Sequence, residues 1–356
     1  MISKAVAAGV LSALCAIGFG RSDPAKAAAR STAGPPWPAE VSVPSSYRIK
    51  FASSVNNQSY TLFIRVPVTP PPADGYPVIY VLDGDYDFGT AADISLTINN
   101  DPRRAPVVVA IGHGLFDDMD VVRRYAARKS ADRSPITVMD MVSTENILRF
   151  HDFTLPVAPN HRAPAWTGLT PDNVGGLDDF LKVIETEVKP RVAQLVSVNT
   201  ANQAIFGHSI AGLAVLRALF TEPSAFRTFI AASPSIWWDA DAVLADEGKY
   251  GDAVEGRHAN PRVLLTVGAN EPDSPNPPAS FIASLPPDKA AAINAYVKMA
   301  GHWSGMVSGA RDLAARLGKL HGGSDYKVEF VAFEGEDHAS VLPAALSRGM
   351  WFAFNQ

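Results

Sequence analysis

The chain has 356 residues, 47% of them hydrophobic and 19% charged, with a formal net charge of −5. That balance fills a sizeable core in one large or two modest domains, and it excludes the basic footprint of a nucleic-acid binder. A single cysteine, Cys15, excludes an internal disulfide framework.

The chain opens with Lys4, an apolar run from Ala5 to Phe19, then Arg21, Ser22, Asp23, Pro24 and the run Ala25-Lys26-Ala27-Ala28-Ala29. A charged start, a short apolar stretch and small residues downstream predict a cleavable secretory signal over residues 1–29. The alternative, an uncleaved anchor, needs about 20 apolar residues, and this run is shorter. Leu14 precedes Cys15 where lipid attachment wants a small residue. The expectation is a periplasmic or secreted bacterial protein with no stable membrane insertion after cleavage. Without Cys15 the mature chain holds no thiolate metal site and no cysteine nucleophile, and nothing in the sequence calls for a metal or organic cofactor.

Residues 30–45, rich in proline, serine and alanine, read as a leader, and residues 46–356 as the folded domain. Tyr60 to Val66 alternates apolar and polar residues, the period of a half-buried strand, and Tyr47 to Phe51 is placed to pair with it as a hairpin. Short apolar runs follow at Pro77 to Leu82, Pro106 to Ile111, Ala204 to Phe206, Thr228 to Ala232, Val263 to Val267 and Val328 to Phe333. Unalternating runs of this kind are strands buried on both faces. Helical spacing marks Leu177 to Leu195, Leu213 to Phe220, Ser304 to Leu320 and Leu342 to Phe354. The order predicts an α/β fold with a mixed, mainly parallel sheet of about eight strands. Two proline-rich, irregular stretches, Val157 to Asn173 and Pro272 to Pro287, mark insertions near 157–174 and 272–303 that wall or cover a pocket.

The strand ending at Phe206 runs into Gly207-His208-Ser209-Ile210-Ala211-Gly212, directly before helical spacing resumes. A serine at a tight strand-to-helix turn is the setting of a nucleophile elbow. Ala211 stands where the commonest pattern has glycine. Serine needs a base, and of the eight histidines His338 lies in a loop between the last strand and the last helix, after the serine in chain order. The acid is expected after Val263 to Val267, where Gly268-Ala269-Asn270-Glu271-Pro272-Asp273 offers Glu271 or, alternatively, Asp273. A serine–histidine dyad without a close acid is the remaining reading. His208 abuts Ser209 and is assigned to shaping the turn. Two backbone donors are needed for an oxyanion. By position these are Ile210 N–H and, from the loop Leu82-Asp83-Gly84-Asp85-Tyr86, Asp85 N–H.

Five blocks then occur in order: Val78 to Asp85, Arg149 to Pro156, Gly207-His208-Ser209, Ala232-Ser233-Pro234-Ser235-Ile236-Trp237-Trp238, and Gly335-Glu336-Asp337-His338-Ala339-Ser340-Val341. Together they resemble an esterase family of the α/β-hydrolases that includes esterase D-like enzymes and, closest in these motifs, enzymes opening enterobactin and salmochelin trilactones. The resemblance runs from about Tyr47 to Phe354. It implies a carboxylic ester hydrolase working through an acyl-enzyme, with Ser209 as nucleophile, His338 as base and Asp85 and Ile210 as oxyanion donors. It also implies a small-molecule ester substrate, best matched by a trilactone siderophore, with the ferric and iron-free forms both open, and Arg149 contributing to the substrate site. Trp237 and Tyr86 are the aromatic candidates for the pocket wall, and Trp303 for a lid. An esterase or acyltransferase acting on another bulky ester, such as a feruloyl, lipid or xenobiotic ester, forms the rival reading, and a non-catalytic binding protein of the same fold the third.

Overall fold

The computed structural model describes residues 42–97, 104–116, 122, 138–157, 169, 173–274, 276–277, 279–300 and 304–355. The expected signal, the leader to residue 41, most of the 157–174 insertion and Trp303 lie outside the described residues.

Eight strands form one sheet. In chain order they are β1 (Ser46–Ala52), β2 (Ser59–Arg65), β3 (Tyr76–Val81), β4 (Val107–Gly112), β5 (Val198–His208), β6 (Thr228–Ala232), β7 (Arg262–Gly268) and β8 (Lys327–Phe333). Their spatial order is β1-β2-β4-β3-β5-β6-β7-β8. β1 pairs antiparallel with β2 and β2 with β4, while every later pairing is parallel. The alternating opening and the unalternating later runs therefore match a hairpin edge followed by a parallel sheet, the arrangement of an α/β-hydrolase. Parallel strands need crossovers, and helices supply them on both faces.

The strand side chains sort by parity. Val78 and Tyr80 of β3 face one apolar cluster, and Ile79 and Val81 face the other. The first cluster is covered by α2 (Val138–Phe153), α3 (residues 177–195), α4 (Ile210–Thr221), α5 (Glu247–Glu255) and α7 (Met306–Leu317). The second is covered by α1 (Gly84–Thr97) and α8 (Leu342–Phe354). α3 runs as Leu177–Val183, a π-turn Ile184–Val188 and Lys189–Leu195. The π-turn presents Glu187 to the hairpin, where its Oε1 accepts from Ser54 N–H at 2.9 Å and Ser54 Oγ–H at 2.5 Å.

Several boundaries shift from the sequence reading. β5 begins at Val198, well before Ala204, because its first half pairs with β3 only at Tyr76. α4 starts at Ile210, directly after the turn serine, rather than at Leu213. The expected helix from Ser304 starts at Met306, because Ser304–Gly305 instead pairs antiparallel with Asp273–Ser274. α1 and α2 carry no clear apolar stripe, and the sequence reading missed both as helices. The 272–303 insertion is also more regular than expected, holding Ala279–Ala283 and α6 (Pro287–Ala300) as helices. None of the described helices is long and apolar enough to cross a membrane.

Candidate active site

The carboxyl ends of β3, β5, β6, β7 and β8 converge on one edge of the sheet, where α/β folds place their ligands. Three consecutive strand ends carry a non-glycine residue at positive φ: Asp83 at 57°, Ser209 at 61° and Ser233 at 43°. Backbone of this kind costs about 1–3 kcal/mol per residue and gathers at functional sites.

Ser209 holds φ 61° and ψ −120° as the residue preceding α4. Its N–H donates to Ala232 O at 2.9 Å, and its carbonyl accepts from Leu213 N–H and Ser235 N–H, each at 3.1 Å. The turn is tight because Gly207 has no side chain: a Cβ there would stand 2.3 Å from Ala211 O. A Cβ on Gly212 would stand 2.9 Å from Ala232 O. The close approaches fall on Gly207 and Gly212, so Ala211 fits as a buried residue in place of the commoner glycine.

His338 joins two groups at once. Its Nε2 lies 2.9 Å from Ser209 Oγ, and its Nδ1 lies 2.7 Å from Glu271 Oε2. The Glu271 side chain is fully buried. Its second oxygen, Oε1, accepts from Gly268 N–H at 2.6 Å and from Ser233 Oγ–H at 2.5 Å. The loops bearing acid and histidine are tied as well, by Asn270 N–H to Glu336 O at 3.0 Å and Ala269 N–H to Phe333 O at 2.9 Å. A Cβ on Gly268 would sit 2.5 Å from Glu336 O. Asp273, the alternative acid, is not brought to His338. It is exposed and accepts from Ser308 N–H and Oγ–H at 3.1 and 2.6 Å. Proline at 272 and pairing of Asp273 with Gly305 turn that carboxylate outward.

Ile210 is the first residue of α4 and Asp85 lies in the first turn of α1, so both N–H groups lack a helical acceptor. The Asp85 side chain fixes its own backbone: Oδ2 accepts from His113 and Gly114 N–H at 2.6 and 3.1 Å, and Oδ1 from Leu115 N–H at 2.9 Å. Burial and the neighbouring Glu145 push the Asp85 carboxyl above its ordinary range. His208 packs on His338 with ring centroids 4.7 Å apart. Burial and the charges of His338 and Arg149 hold its pKa well below 6.5, which keeps that ring neutral. Chemically, a chain of serine, imidazole and buried carboxylate can deprotonate the serine.

A family model described as "Putative esterase" matches residues 53–314. The chain belongs to this esterase family. It is 30% identical over 308 residues to the ferri-bacillibactin esterase BesA of Bacillus subtilis strain 168, covering 86% of this chain and 89% of that one. It is 31% identical over 289 residues to a siderophore triacetylfusarinine C esterase of Aspergillus fumigatus, covering 78% and 81%. Among solved structures, the BES protein of Bacillus cereus superposes with a TM-score of 0.65 at 26% identity, covering 89% of this chain and 98% of that one.

Two cavities of this esterase are lined by chain neighbours of the site residues: His208 and Ala339 in one, Ile236 and Asp273 in the other. One, of about 270 Å³, is lined by Asp83, Tyr86, Asp87, Glu145, Arg149 and His208, with Ala339 beside the histidine. Arg149 reaches its wall but not in the expected way. Its Nε and Nη2 donate to Asp83 Oδ1 and Oδ2 at 2.6 and 2.8 Å, a two-pronged fork. Asp152, three residues further on, is fully buried and accepts from Tyr60 Oη–H at 2.8 Å. Tyr86 is half exposed and stands edge-on to exposed Phe116, centroids 5.5 Å apart. The second cavity, about 390 Å³, is lined by Ile236, Trp237, Asp241, Asp273, Asp312 and Arg316 among others. Trp237 walls it, whereas Trp238 is core.

Beneath the Asp85 loop lies a buried network that the sequence did not indicate. His113 Nε2 is 3.1 Å from Asp152 Oδ2, and Nδ1 is 3.8 Å from Glu145 Oε2. Asp85, His113 and Glu145 place ligand-type atoms within 4.8 Å of one another, the set among the described residues with the spacing to hold a metal ion. An imidazolium meets the same need for positive charge. Burial opposes charging His113, but Asp152 and Glu145 outweigh it and push its pKa up to about 10. An unfolded histidine titrates near about 6.5, so the raised folded value stabilises fully below that pH and the contribution fades as pH rises toward about 10. His113→Gln is therefore expected to lose most stability against the parent at pH 6 and least at pH 9.5, measured by urea unfolding; an equal loss at both pH values contradicts a charged His113.

Proposed function

We propose that this esterase hydrolyses the ester bonds of a siderophore by way of an acyl-enzyme on Ser209. The observation that carries the mechanism is His338, which touches Ser209 Oγ with one nitrogen and buried Glu271 with the other. The substrate class is supported by the relatives, one a ferri-bacillibactin esterase and another a triacetylfusarinine C esterase.

In the proposed reaction Ser209 Oγ attacks the ester carbonyl while His338 Nε2 takes the hydroxyl proton. Glu271 holds the imidazole by Nδ1 and stabilises the imidazolium. The carbonyl oxygen becomes an oxyanion against the N–H groups of Asp85 and Ile210. Collapse breaks the ester bond, and His338 returns its proton to the departing alkoxide. A water then loses a proton to His338 and attacks the acyl-serine, releasing the free acid and restoring Ser209. Ser233 and Gly268 keep the Glu271 carboxylate aimed by donating to its other oxygen. Tyr86 and Trp237 are proposed to contact the substrate body, and Arg149 to shape its pocket through Asp83. We further propose that residues 46–356 act as one catalytic domain, exported by the signal at 1–29.

Glu271→Gln is expected to lower kcat by roughly two to four orders of magnitude, and Asp273→Asn to leave it within a few-fold. Equal rates for Glu271→Gln and the parent overturn the triad in favour of a dyad. Among esters, trilactone or hydroxamate siderophores should exceed feruloyl and p-nitrophenyl esters in kcat/KM. A reversed ranking moves the enzyme to the rival class of bulky esters.

A further inference from the structure

Siderophore esters differ sharply in charge. Three catecholates on Fe(III) give a trianion, three hydroxamates on Fe(III) give a neutral complex, and an iron-free catechol ester stays protonated and neutral near pH 7. A site for the trianion needs cations free to face it, because a buried or half-buried anion is costly without a partner.

The walls of the two cavities lined by neighbours of the site residues lack that provision among the described residues. The cavity on the oxyanion side is lined by the carboxylates Asp83, Asp87 and Glu145 and by one cation, Arg149. Arg149 gives its fork to Asp83 at 2.6 and 2.8 Å. Glu145 Oε2, 3.8 Å from His113 Nδ1, is buried with no hydrogen-bond partner, and so is His208 Nε2. The cavity on the acid side is lined by Asp241, Asp273 and Asp312 and by one cation, Arg316. That guanidinium is likewise forked, by Glu247 at 2.7 and 2.8 Å.

We propose that the preferred substrate is an uncharged siderophore ester, and that the trianionic ferric catecholate is the disfavoured form. The inference rests on the siderophore reading above and names the charge class for the same site.

The test compares kcat/KM of the full chain on iron-free enterobactin, ferric enterobactin and ferric triacetylfusarinine C, with p-nitrophenyl acetate as a control, at low and high salt. Iron-free enterobactin carries the same ester bonds as its ferric complex, so that pair isolates charge. It should exceed the ferric form by about tenfold near 0.01 M salt, and the gap should shrink to a few-fold near 0.5 M as screening grows. Ferric triacetylfusarinine C should be cleaved despite its iron. In Asp83→Asn, which keeps a side chain tolerant of the left-handed backbone, Arg149 keeps its charge without its counter-ion, and the gap should narrow at low salt. A ferric rate equal to or above the iron-free rate overturns the proposal and assigns anion binding elsewhere, for instance to Arg123, Arg124, Arg128, Lys129 and Arg133, outside the described residues. A gap that ignores salt overturns it in favour of shape. Turnover of p-nitrophenyl acetate with none of the three siderophores defeats the siderophore reading itself.

Discussion

The proposed catalysis depends on a serine held in a backbone conformation that an ordinary residue avoids. Ser209 keeps φ 61° and ψ −120° because three hydrogen bonds surround it and because Gly207 and Gly212 let neighbouring backbone come closer than any Cβ would permit. The parallel sheet makes that strain sustainable. β5 is flanked by β3 and β6 and buried from both faces, so the turn cannot relax without disturbing the core on either side. The same geometry starts a helix immediately after the serine, which supplies an aimed N–H.

Around that fixed point the acidic groups divide into two kinds. Glu271 is buried and fully used: one oxygen meets His338, and the other takes Gly268 N–H and the Ser233 hydroxyl. Its partners are rigid loop backbone and a buried serine, so the imidazole is held in place rather than merely attracted. Asp83, Asp85, Glu145 and Asp152 instead form a shell under and beside the oxyanion loop, balanced by Arg149 and His113. In this shell the cations are consumed internally. That arrangement stabilises the loop, and it leaves the cavity walls with little to offer an anion.

Local signals were legible in the sequence, and signals requiring contact between distant segments were not. The strand limits at Thr228–Ala232 and the helix Leu342–Phe354 follow from runs of apolar residues, and the structure reproduces both. Ser209 and His338 lie beside such runs, so their neighbourhoods could be read directly. α1 and α2 were hidden for a physical reason. α1 is rich in aspartate and small polar residues, and α2 turns Glu145 and Asp152 inward, where apolar residues are expected. Choosing between Glu271 and Asp273 depended on which side of the loop faces β8, a fact of packing. The Arg149–Asp83 fork joins residues 66 positions apart, and no spacing rule announces it. Ser233 as the holder of the acid was missed likewise, although a small polar residue directly after a parallel strand beside the acid's strand is a signal that could have found it.

The central claim, that Ser209 is a nucleophile activated by His338, meets its most direct test in covalent labelling by a fluorophosphonate followed by peptide mass spectrometry. One adduct per chain is expected, on the peptide containing Gly207-His208-Ser209, and His338→Ala should lose it while remaining folded. An adduct on any other residue, or undiminished labelling of Ser209 in His338→Ala, would contradict the account.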